Sequence, residues 1–404
     1  MQRKPRFCHV LNLHTLGGVQ RSFAGFLQAV VEEGTHGHYG VIGDHPHAQL
    51  GAELGGAVNR LRYFKRLGPL KIPPHPKSLR QFQLNRLLAR ARPDVVVLWN
   101  HARDVDTARH ARSLGARVVY FEHGAAWSLR KEEQAARALG LAHGVVAVSH
   151  AARRVLELRW NVRQPIRVQL NALLPASAPF QPTWKTLDPN RPLVLGTAGR
   201  LVSLKGISLA LRTLSELRKR GVQCELRIAG TGPQEQQLRD LSKKLGISDA
   251  VRFLGLVGDM GRFFSESDIF LYPSLGDAYG LVSLEAQAWG CPVLTSRIDG
   301  LPETLLEGRT GYTVPATLSP SEFPEYRDGR WLGERLTYDP EKDRLMQPRL
   351  PAPEAFADYV MKLIDSPTLF AKMSDAASKH AAERSDFARY SSNLVAAFRA
   401  VASL

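Results

Sequence analysis

The chain has 404 residues, 54 Lys/Arg against 38 Asp/Glu, and a formal net charge of +16 at pH 7. Its 44% hydrophobic and 23% charged content is that of a globular protein and excludes a largely disordered chain, a collagen or a coiled coil. Three widely spaced cysteines, Cys8, Cys224 and Cys291, form neither a disulfide framework nor a metal-ligand pair, which predicts a reducing compartment.

The start is basic, and its first apolar run, Phe7–Leu13, is broken by His9 and Asn12. It reads as a β-strand rather than an export signal. No apolar run approaches the roughly 20 residues that span a bilayer, so the expected location is cytoplasmic. Further apolar runs follow at Tyr39–Ile42, Val95–Trp99, Val118–Phe121 and Val145–Val148, separated by stretches of helical period such as Val19–Glu33 and Leu79–Ala91. The second half repeats the style with Leu193–Thr197, Glu225–Ala229, Val251–Leu254, Ile269–Tyr272 and Val293–Thr295. Strands alternating with helices predict parallel sheets covered on both faces.

Between the halves, the proline-rich stretch 175–182 lacks periodicity and reads as a linker running to about Arg191. The expected organisation is therefore an N-terminal domain over 1–180 and a C-terminal domain over 191–385. The latter carries an inserted loop over 316–353 with a short strand or helix. Helices follow at Glu354–Ile364, Leu369–Ala382 and Phe387–Val401; the last, within 386–404, is expected to pack back on the first domain.

The charge is uneven. Residues 1–185 hold 27 Lys/Arg and 11 Asp/Glu, whereas residues 186–404 hold 27 of each. An anionic partner that touches only the first half explains this asymmetry, be it a membrane, a nucleic acid or an acidic solute. The densest patch is Asn59–Lys71, with Arg60, Arg62, Tyr63, Phe64, Lys65 and Arg66. Aromatics among cations suit a membrane interface. They would also suit RNA, and an edge strand with a solvated basic face is the plain alternative. With no nucleic-acid motif in the chain, a membrane is preferred and no nucleic acid is expected.

Three motifs carry chemistry. Gly17-Gly18-Val19-Gln20-Arg21 follows the first strand and opens a helix, where glycines admit a ligand to the backbone and the helix N-terminus favours phosphate. Gly199-Arg200-Leu201-Val202-Ser203-Leu204-Lys205-Gly206 sits where the first strand of the second domain becomes a helix. Arg200 and Lys205 lie around one tight turn and can converge on a diphosphate; the spacing is not that of a Walker A loop. Asp277-Ala278-Tyr279-Gly280-Leu281-Val282-Ser283-Leu284-Glu285 follows another apolar strand. Gly280 would begin a helix whose amides at Leu281 and Val282 meet phosphate oxygens, and Glu285 could bond a vicinal diol. The plain alternatives are an N-cap for Asp277 and a solvated helix face for Glu285.

In this order and spacing, the motifs resemble glycosyltransferase family 4, retaining enzymes of the GT-B fold. Ile228-Ala229-Gly230-Thr231-Gly232-Pro233, Val251–Val257, Ala288–Val293, Gly300–Glu303, Val145–Ser149 and Val168–Asn171 extend the resemblance over nearly the whole chain, most strongly over 193–315. It implies an α/β architecture of two Rossmann-like doubly wound domains facing across a cleft, with C-terminal helices. It implies transfer of a sugar, a hexose from UDP, to a hydroxyl of a membrane-associated acceptor such as lipopolysaccharide core or another envelope glycan. A small soluble acceptor, or a non-catalytic basic binding protein on the same frame, are the alternatives.

Carried over by residue, Arg200 and Lys205 would neutralise the donor diphosphate, and Glu285 would hold the ribose. The amides of Leu281 and Val282 would bind the distal phosphate, with Gly17 and Gly18 completing the cradle. Val257 and Gly258 would read the base. Asp277 would bind sugar hydroxyls, with Tyr279 and Gly280 beside it. His123, in Tyr120-Phe121-Glu122-His123-Gly124, would face the transferred sugar. The family has Glu where this chain has Asp277, which bears on donor identity. No protein nucleophile is expected; the leaving phosphate assists the acceptor. No cofactor beyond the nucleotide-sugar co-substrate and no essential metal are implied, and a monomer is the default. The expected station is the inner face of the cytoplasmic membrane, as a peripheral protein.

Other signals are set aside. Asp104-Val105-Asp106 has a metal-binding spacing but precedes a helical stretch, where acids act as caps. His36, His38, His45 and His47 read as surface histidines. Gly230-Thr231-Gly232 lacks the third glycine of a dinucleotide fingerprint.

Overall fold

The structure is a computed structural model describing residues 4–34, 37–101, 104–127, 132–179, 181, 183–326 and 335–403. His36, one of the four histidines noted above, lies outside the described residues. Contacts divide the chain into two units, 1–171 with 387–404, and 172–386.

Unit 1 begins with β1 (Phe7–Leu11), α1 (Gly18–Glu32), β2 (His38–Ile42), α2 (Ala48–Leu54) and β3 (Leu61–Tyr63). A small hairpin of β4 (Arg66–Leu67) and β5 (Leu70–Lys71) precedes α3 (Lys77–Ala91). Then come β6 (Val95–Trp99), α4 (Val105–Ser113), β7 (Arg117–Glu122), α5 (Glu132–Leu141), β8 (Gly144–Ala147), α6 (His150–Trp160) and β9 (Ile166–Val168). The sheet is parallel in the order β3-β2-β1-β6-β7-β8-β9. Its central strands are buried end to end, which is why Val95–Trp99 reads as one apolar run rather than an alternation.

Unit 2 runs β10 (Leu193–Ala198), α7 (Ile207–Lys219), β11 (Cys224–Ala229), α8 (Glu235–Lys244), β12 (Val251–Gly255), α9 (Met260–Ser265) and β13 (Ile269–Tyr272). It continues with α10 (Leu281–Ala288), β14 (Val293–Arg297), β15 (Gly311–Leu318), β16 (Thr337–Asp339), β17 (Arg344–Met346) and β18 (Leu350–Pro351). Helices α11 (Pro353–Ile364) and α12 (Pro367–Glu383) complete it. The sheet order is β12-β11-β10-β13-β14-β15-β18, parallel except for β18, which runs against β15. Successive residues of β13 serve opposite faces, as strand alternation requires. Ile269 and Leu271 join a core with Leu211, Leu214 and Phe356, whereas Phe270 and Tyr272 join one with Leu209, Phe264 and Leu301. In α7 the residues that join the first of these cores, Ile207, Ala210, Leu211, Leu214 and Leu217, have the spacing of one helical face.

The last helix, α13 (Phe387–Val401), belongs to unit 1. Its Phe398 is fully buried with ring centroids 5.4 Å from Phe121 and 6.4 Å from Trp99.

Two segments are more structured than the sequence implies. The expected linker is strapped to unit 2. Thr183 and Lys185 amides donate to Ser378 and Ser374 hydroxyls at 2.9 and 2.8 Å. The Lys185 ammonium bonds the carbonyls of Phe264 and Ser265 at 2.6 and 3.0 Å, capping the carbonyl end of α9. The insertion over 316–353 extends β15, adds β18 to the sheet and forms the β16–β17 hairpin. It also buries Tyr326, whose hydroxyl meets Ser208 at 2.6 Å.

His38 is a correction. It is 4% exposed, inside β2, because its ring stacks on Phe7 at 4.7 Å and bonds His9 at 3.0 Å. Asp104 caps α4, accepting from the Thr107 amide at 3.1 Å.

Candidate active site

Both sheets reverse strand order once, at β1/β6 in unit 1 and at β10/β13 in unit 2. In open parallel sheets ligands bind beyond the carboxyl ends of strands at such points. The motif residues occupy those ends.

In unit 2 two loops are knitted together. Gly206 adopts a left-handed φ of 63°, and a Cβ there would lie 1.9 Å from the Pro273 carbonyl oxygen. The Leu204 carbonyl accepts from the Leu275 amide at 2.7 Å and the Ser274 hydroxyl at 3.1 Å. This close approach brings Lys205 to the third motif. Its ammonium donates to Asp277 Oδ2 at 2.6 Å and to the Tyr272 hydroxyl at 2.7 Å; Tyr272 in turn bonds Asp277 Oδ2 at 2.9 Å. Asp277 Oδ1 accepts from the amides of Tyr279 at 3.3 Å and Gly280 at 3.1 Å. The carboxylate is thus both counter-ion and cap for the turn that opens α10. That turn needs Gly280, whose φ is 87°.

The electrostatics follow from burial and pairing. Burial alone would lower the Lys205 ammonium, but Asp277 and Tyr272 outweigh it and hold it above its ordinary pKa. Burial alone would raise Asp277; Lys205 outweighs it, and the carboxyl is depressed. The Tyr272 phenol is pushed up by burial and by Asp277. At neutral pH the trio is a charged, satisfied network.

Other unit 2 residues are placed differently. The Arg200 side chain is exposed and has no hydrogen-bond or ion-pair partner among the described residues. Glu285 is half-buried and accepts from the Ser177 hydroxyl at 2.9 Å. Val257 is half-buried and Gly258 exposed, in the loop after β12. Leu281 and Val282 occupy the first turn of α10. Tyr279, expected among the binding residues, has its side chain 1% exposed, with its hydroxyl accepting from Arg384 at 2.9 Å. Burial pushes this phenol up to about 12 despite Arg384. Asp277, expected to meet sugar hydroxyls, has both oxygens engaged within the protein.

In unit 1, Gly17 and Gly18 stand at the start of α1 beyond β1. A Cβ on Gly18 would meet no atom within 4 Å, so packing within the protein does not demand glycine there. His123 stands just beyond β7. Asn100, at a left-handed φ of 57°, accepts from the amides of His123 and Ala125 at 3.2 and 3.0 Å. Glu122 is fully buried and accepts from the Tyr120 hydroxyl, the Gly124 amide and, at 3.1 Å, the Ala126 amide. Burial raises Glu122, partly offset by these bonds. The His123 ring stacks on Trp99 at 5.3 Å, and its Nε2 is buried without a hydrogen-bond partner. Burial pulls its pKa down to about 3, so the imidazole is neutral.

The basic patch is partly self-neutralised. Arg66 pairs with Asp44 at 3.2 Å, and Arg62 bonds the Asn59 and Leu61 carbonyls, each at 2.8 Å. Arg60 lies 5.8 Å over the Tyr39 ring and Lys65 5.9 Å over Phe64, while Tyr63 packs 4.7 Å from His45.

Sequence reasoning missed Tyr272, Asn100, Glu122 and Ser177. The first three had a signal, a polar side chain that closes or directly follows an apolar run. Ser177 had none.

The two units match two family models, Glycosyltransferase Family 4 over residues 16–173 and Glycosyl transferases group 1 over 183–327. A D-inositol 3-phosphate glycosyltransferase from Corynebacterium jeikeium is 40% identical over 139 residues, 31% of this chain and 32% of that protein. The matched stretch thus spans about a third of that relative's length. An Anabaena structure, Alr3699/HepE in complex with UDP-glucose, superposes with a TM-score of 0.71 at 15% identity, covering 99% of this chain and 100% of the other. The lipopolysaccharide outer core galactosyltransferase WaaB gives 0.68 at 14%, covering 98% and 99%. The fold is GT-B, two Rossmann-like parallel-sheet domains. The chain belongs to the glycosyltransferases built from a family 4 domain followed by a group 1 domain.

Proposed function

We propose that this protein is a retaining glycosyltransferase that moves a hexose from UDP to a hydroxyl of a membrane-associated acceptor, lipopolysaccharide core or another envelope glycan. The observation that carries the reading is the Lys205–Asp277–Tyr272 network beside the N-terminus of α10, at the strand-order reversal of the group 1 domain.

In this reading Lys205 and Arg200 stabilise the negative charge that grows on the leaving diphosphate. Arg200 supplies the planar fork and Lys205 the fixed point charge. Asp277 and Tyr272 aim the ammonium, so it need not reorganise during transfer. The first amides of α10 at Leu281 and Val282 take phosphate oxygens, Glu285 takes the ribose, and the Val257–Gly258 loop takes the base. Gly17 and Gly18 admit phosphate to the start of α1. His123, neutral, offers hydrogen bonds to sugar hydroxyls rather than a proton for general acid catalysis. A UDP-glucose complex of a structural neighbour supports the choice of donor.

The membrane part of the proposal rests on residues 55–93, which contain ten Lys/Arg and no Asp or Glu. Leu67 and Leu70 at the hairpin tip are 55% and 70% exposed, and Leu79 and Phe82 on α3 are 46% and 68% exposed. Arg80 ties the two elements together through the Ile72 carbonyl, at 2.8 and 3.1 Å. Exposed apolar side chains among cations suit an anionic interface. No helix among the described residues is long and apolar enough to cross a membrane, and peripheral attachment at the inner face of the cytoplasmic membrane is the station proposed.

The test is calorimetric titration of UDP, GDP and ADP into wild type and Lys205→Ala. The reading expects UDP to bind at micromolar concentration and to weaken at least tenfold in the variant. A folded wild-type protein that binds none of the three refutes it. A second reading, transfer to a small anionic acceptor, is favoured by the relative whose name carries inositol 3-phosphate. Turnover on a soluble acceptor without vesicles would select it.

A further inference from the structure

The insertion over 316–353 lies outside the three motifs, yet its described part reaches the donor site. Asp299 follows β14 at a left-handed φ of 49° and is fully buried. Its amide donates to the Tyr338 carbonyl at 2.9 Å, and its Oδ1 accepts the Tyr338 amide at 2.8 Å. Tyr338 lies in β16, within the insertion. Asp299 Oδ2 accepts from Arg335 Nη2 at 2.5 Å, in an ion pair whose side chains are 0% and 11% exposed. The guanidinium lies against the backbone just before Asp277: a Cβ on Gly276 would fall 2.1 Å from Arg335 Nη2 and 2.6 Å from its Cζ. Next to Asp299, the Gly300 amide donates to the Asp277 carbonyl at 3.1 Å.

The insertion thus touches the Asp277 turn from two directions, by a guanidinium packed on Gly276 and by the 299–300 turn that it holds through Tyr338. We propose that Arg335 is a positioning residue. Paired with Asp299, it clamps the insertion onto the 276–277 turn and fixes the placement of that turn, where the sugar end of the donor binds. The inference deepens the donor-site reading and rests on it for the identity of the ligand; the clamp itself does not.

A buried charge pair suits this task. Removing one member leaves the other uncompensated in a water-poor place, so the pair resists exchange for looser geometries. Gly276 is part of the device, because any side chain there would displace the guanidinium. The consequence is selectivity between ligands that share a diphosphate. UDP relies on the amides of α10 and on Arg200 as well as Lys205, whereas the sugar of UDP-glucose relies on the placement of the 277 turn.

The experiment compares wild type, Arg335→Gln, Arg335→Lys and Asp299→Asn by hydrogen exchange and by titration with UDP and UDP-glucose. In Arg335→Gln, protection of the Tyr279, Gly280 and Gly300 amides should fall about tenfold or more while β11 keeps its protection. Affinity for UDP should stay within about twofold and affinity for UDP-glucose should fall about tenfold. Arg335→Lys should recover part of both effects, and Asp299→Asn, which keeps the side-chain size, should reproduce them. Unchanged exchange over 274–282 in folded Arg335→Gln overturns the clamp. Equal losses for UDP and UDP-glucose overturn its role at the sugar. A wild-type protein that binds neither ligand, with the exchange effect intact, supports the clamp and refutes the donor reading instead.

Discussion

The Lys205 ammonium lies 2.6 Å from the Asp277 carboxylate across 72 residues of sequence, with the Tyr272 hydroxyl bonded to both. The side chains of the pair are 22% and 25% exposed. Each group therefore depends on the other for charge balance, and neither can be removed without cost.

Lys205→Ala should destabilise unit 2 by about 3 kcal/mol, the low end for an uncompensated buried charge, because water reaches part of the pair. In a domain of this size that is a fall of roughly 6–12 °C in Tm. The depressed Asp277 carboxyl gives the sign of the pH effect. Its stabilisation is present above the ordinary carboxylate pKa of 3.8 and is lost as pH falls through the lower folded value. Thermal scans at pH 7 and pH 3 check this: the gap between wild type and variant should narrow in acid.

Unit 1 has its own acid sensitivity. Trp99 Nε1 donates to His9 Nδ1 at 3.0 Å, so His9 carries its proton on Nε2 and donates to His38 Nδ1, also at 3.0 Å. Burial, and then His38, pulls His9 well below its ordinary pKa; burial, and then Arg60, pulls His38 to about 4. Groups depressed in the fold take up protons first in the unfolded chain. Stability should fall from pH 6.5 towards pH 4 by up to about 1.4 kcal/mol per pH unit for each histidine. Denaturant midpoints at pH 7.5, 6 and 5 measure the slope, and His38→Phe should flatten it.

The fold and the site loops were legible to different depths. Val95–Trp99 and Ile269–Tyr272 announce themselves because a buried parallel strand has no polar face. Gly199–Gly206 and Asp277–Glu285 stand out because glycines and charges at strand ends have few other uses. The pairing of Lys205 with Asp277 was not legible, since it depends on Gly206 meeting Pro273, a contact between distant loops. His38 misled because a histidine in a short polar run looks solvated; its burial comes from Phe7 and His9 on the neighbouring strand. Arg335 and Asp299 were equally hidden, because a buried ion pair across an insertion has no local pattern.

Gly206→Ala tests the knitting of the two loops. The methyl would strike the Pro273 carbonyl, and the left-handed φ of 63° adds strain. The expected cost is about 2–4 kcal/mol, with UDP binding weakened because Lys205 is displaced. Gly221 is the control. Its φ is 84°, but a Cβ there meets nothing within 4 Å, so Gly221→Ala should cost only about 1 kcal/mol and leave UDP binding intact. Equal effects of the two substitutions would show that backbone strain, not the loop contact, matters.

The membrane proposal makes a prediction that separates apolar insertion from simple charge attraction. Leu67 and Leu70 project from the hairpin tip at 55% and 70% exposure. Full burial of a leucine is worth about 1.5–3 kcal/mol, and partial insertion about 1 kcal/mol each. Leu67→Ser with Leu70→Ser should then weaken binding to vesicles containing anionic lipid by about thirtyfold, the equivalent of roughly 2 kcal/mol. The loss should persist at 0.5 M salt, where the attraction between the cations and the lipid is screened over about 4 Å. Replacing Lys71 and Lys77 by Gln should instead give a loss that shrinks as salt rises, with about 1 kcal/mol per charge at low salt. Flotation of both variants at two salt concentrations distinguishes the terms. Binding that ignores the leucines but follows the lysines would mean that the hairpin rests on the surface without entering it.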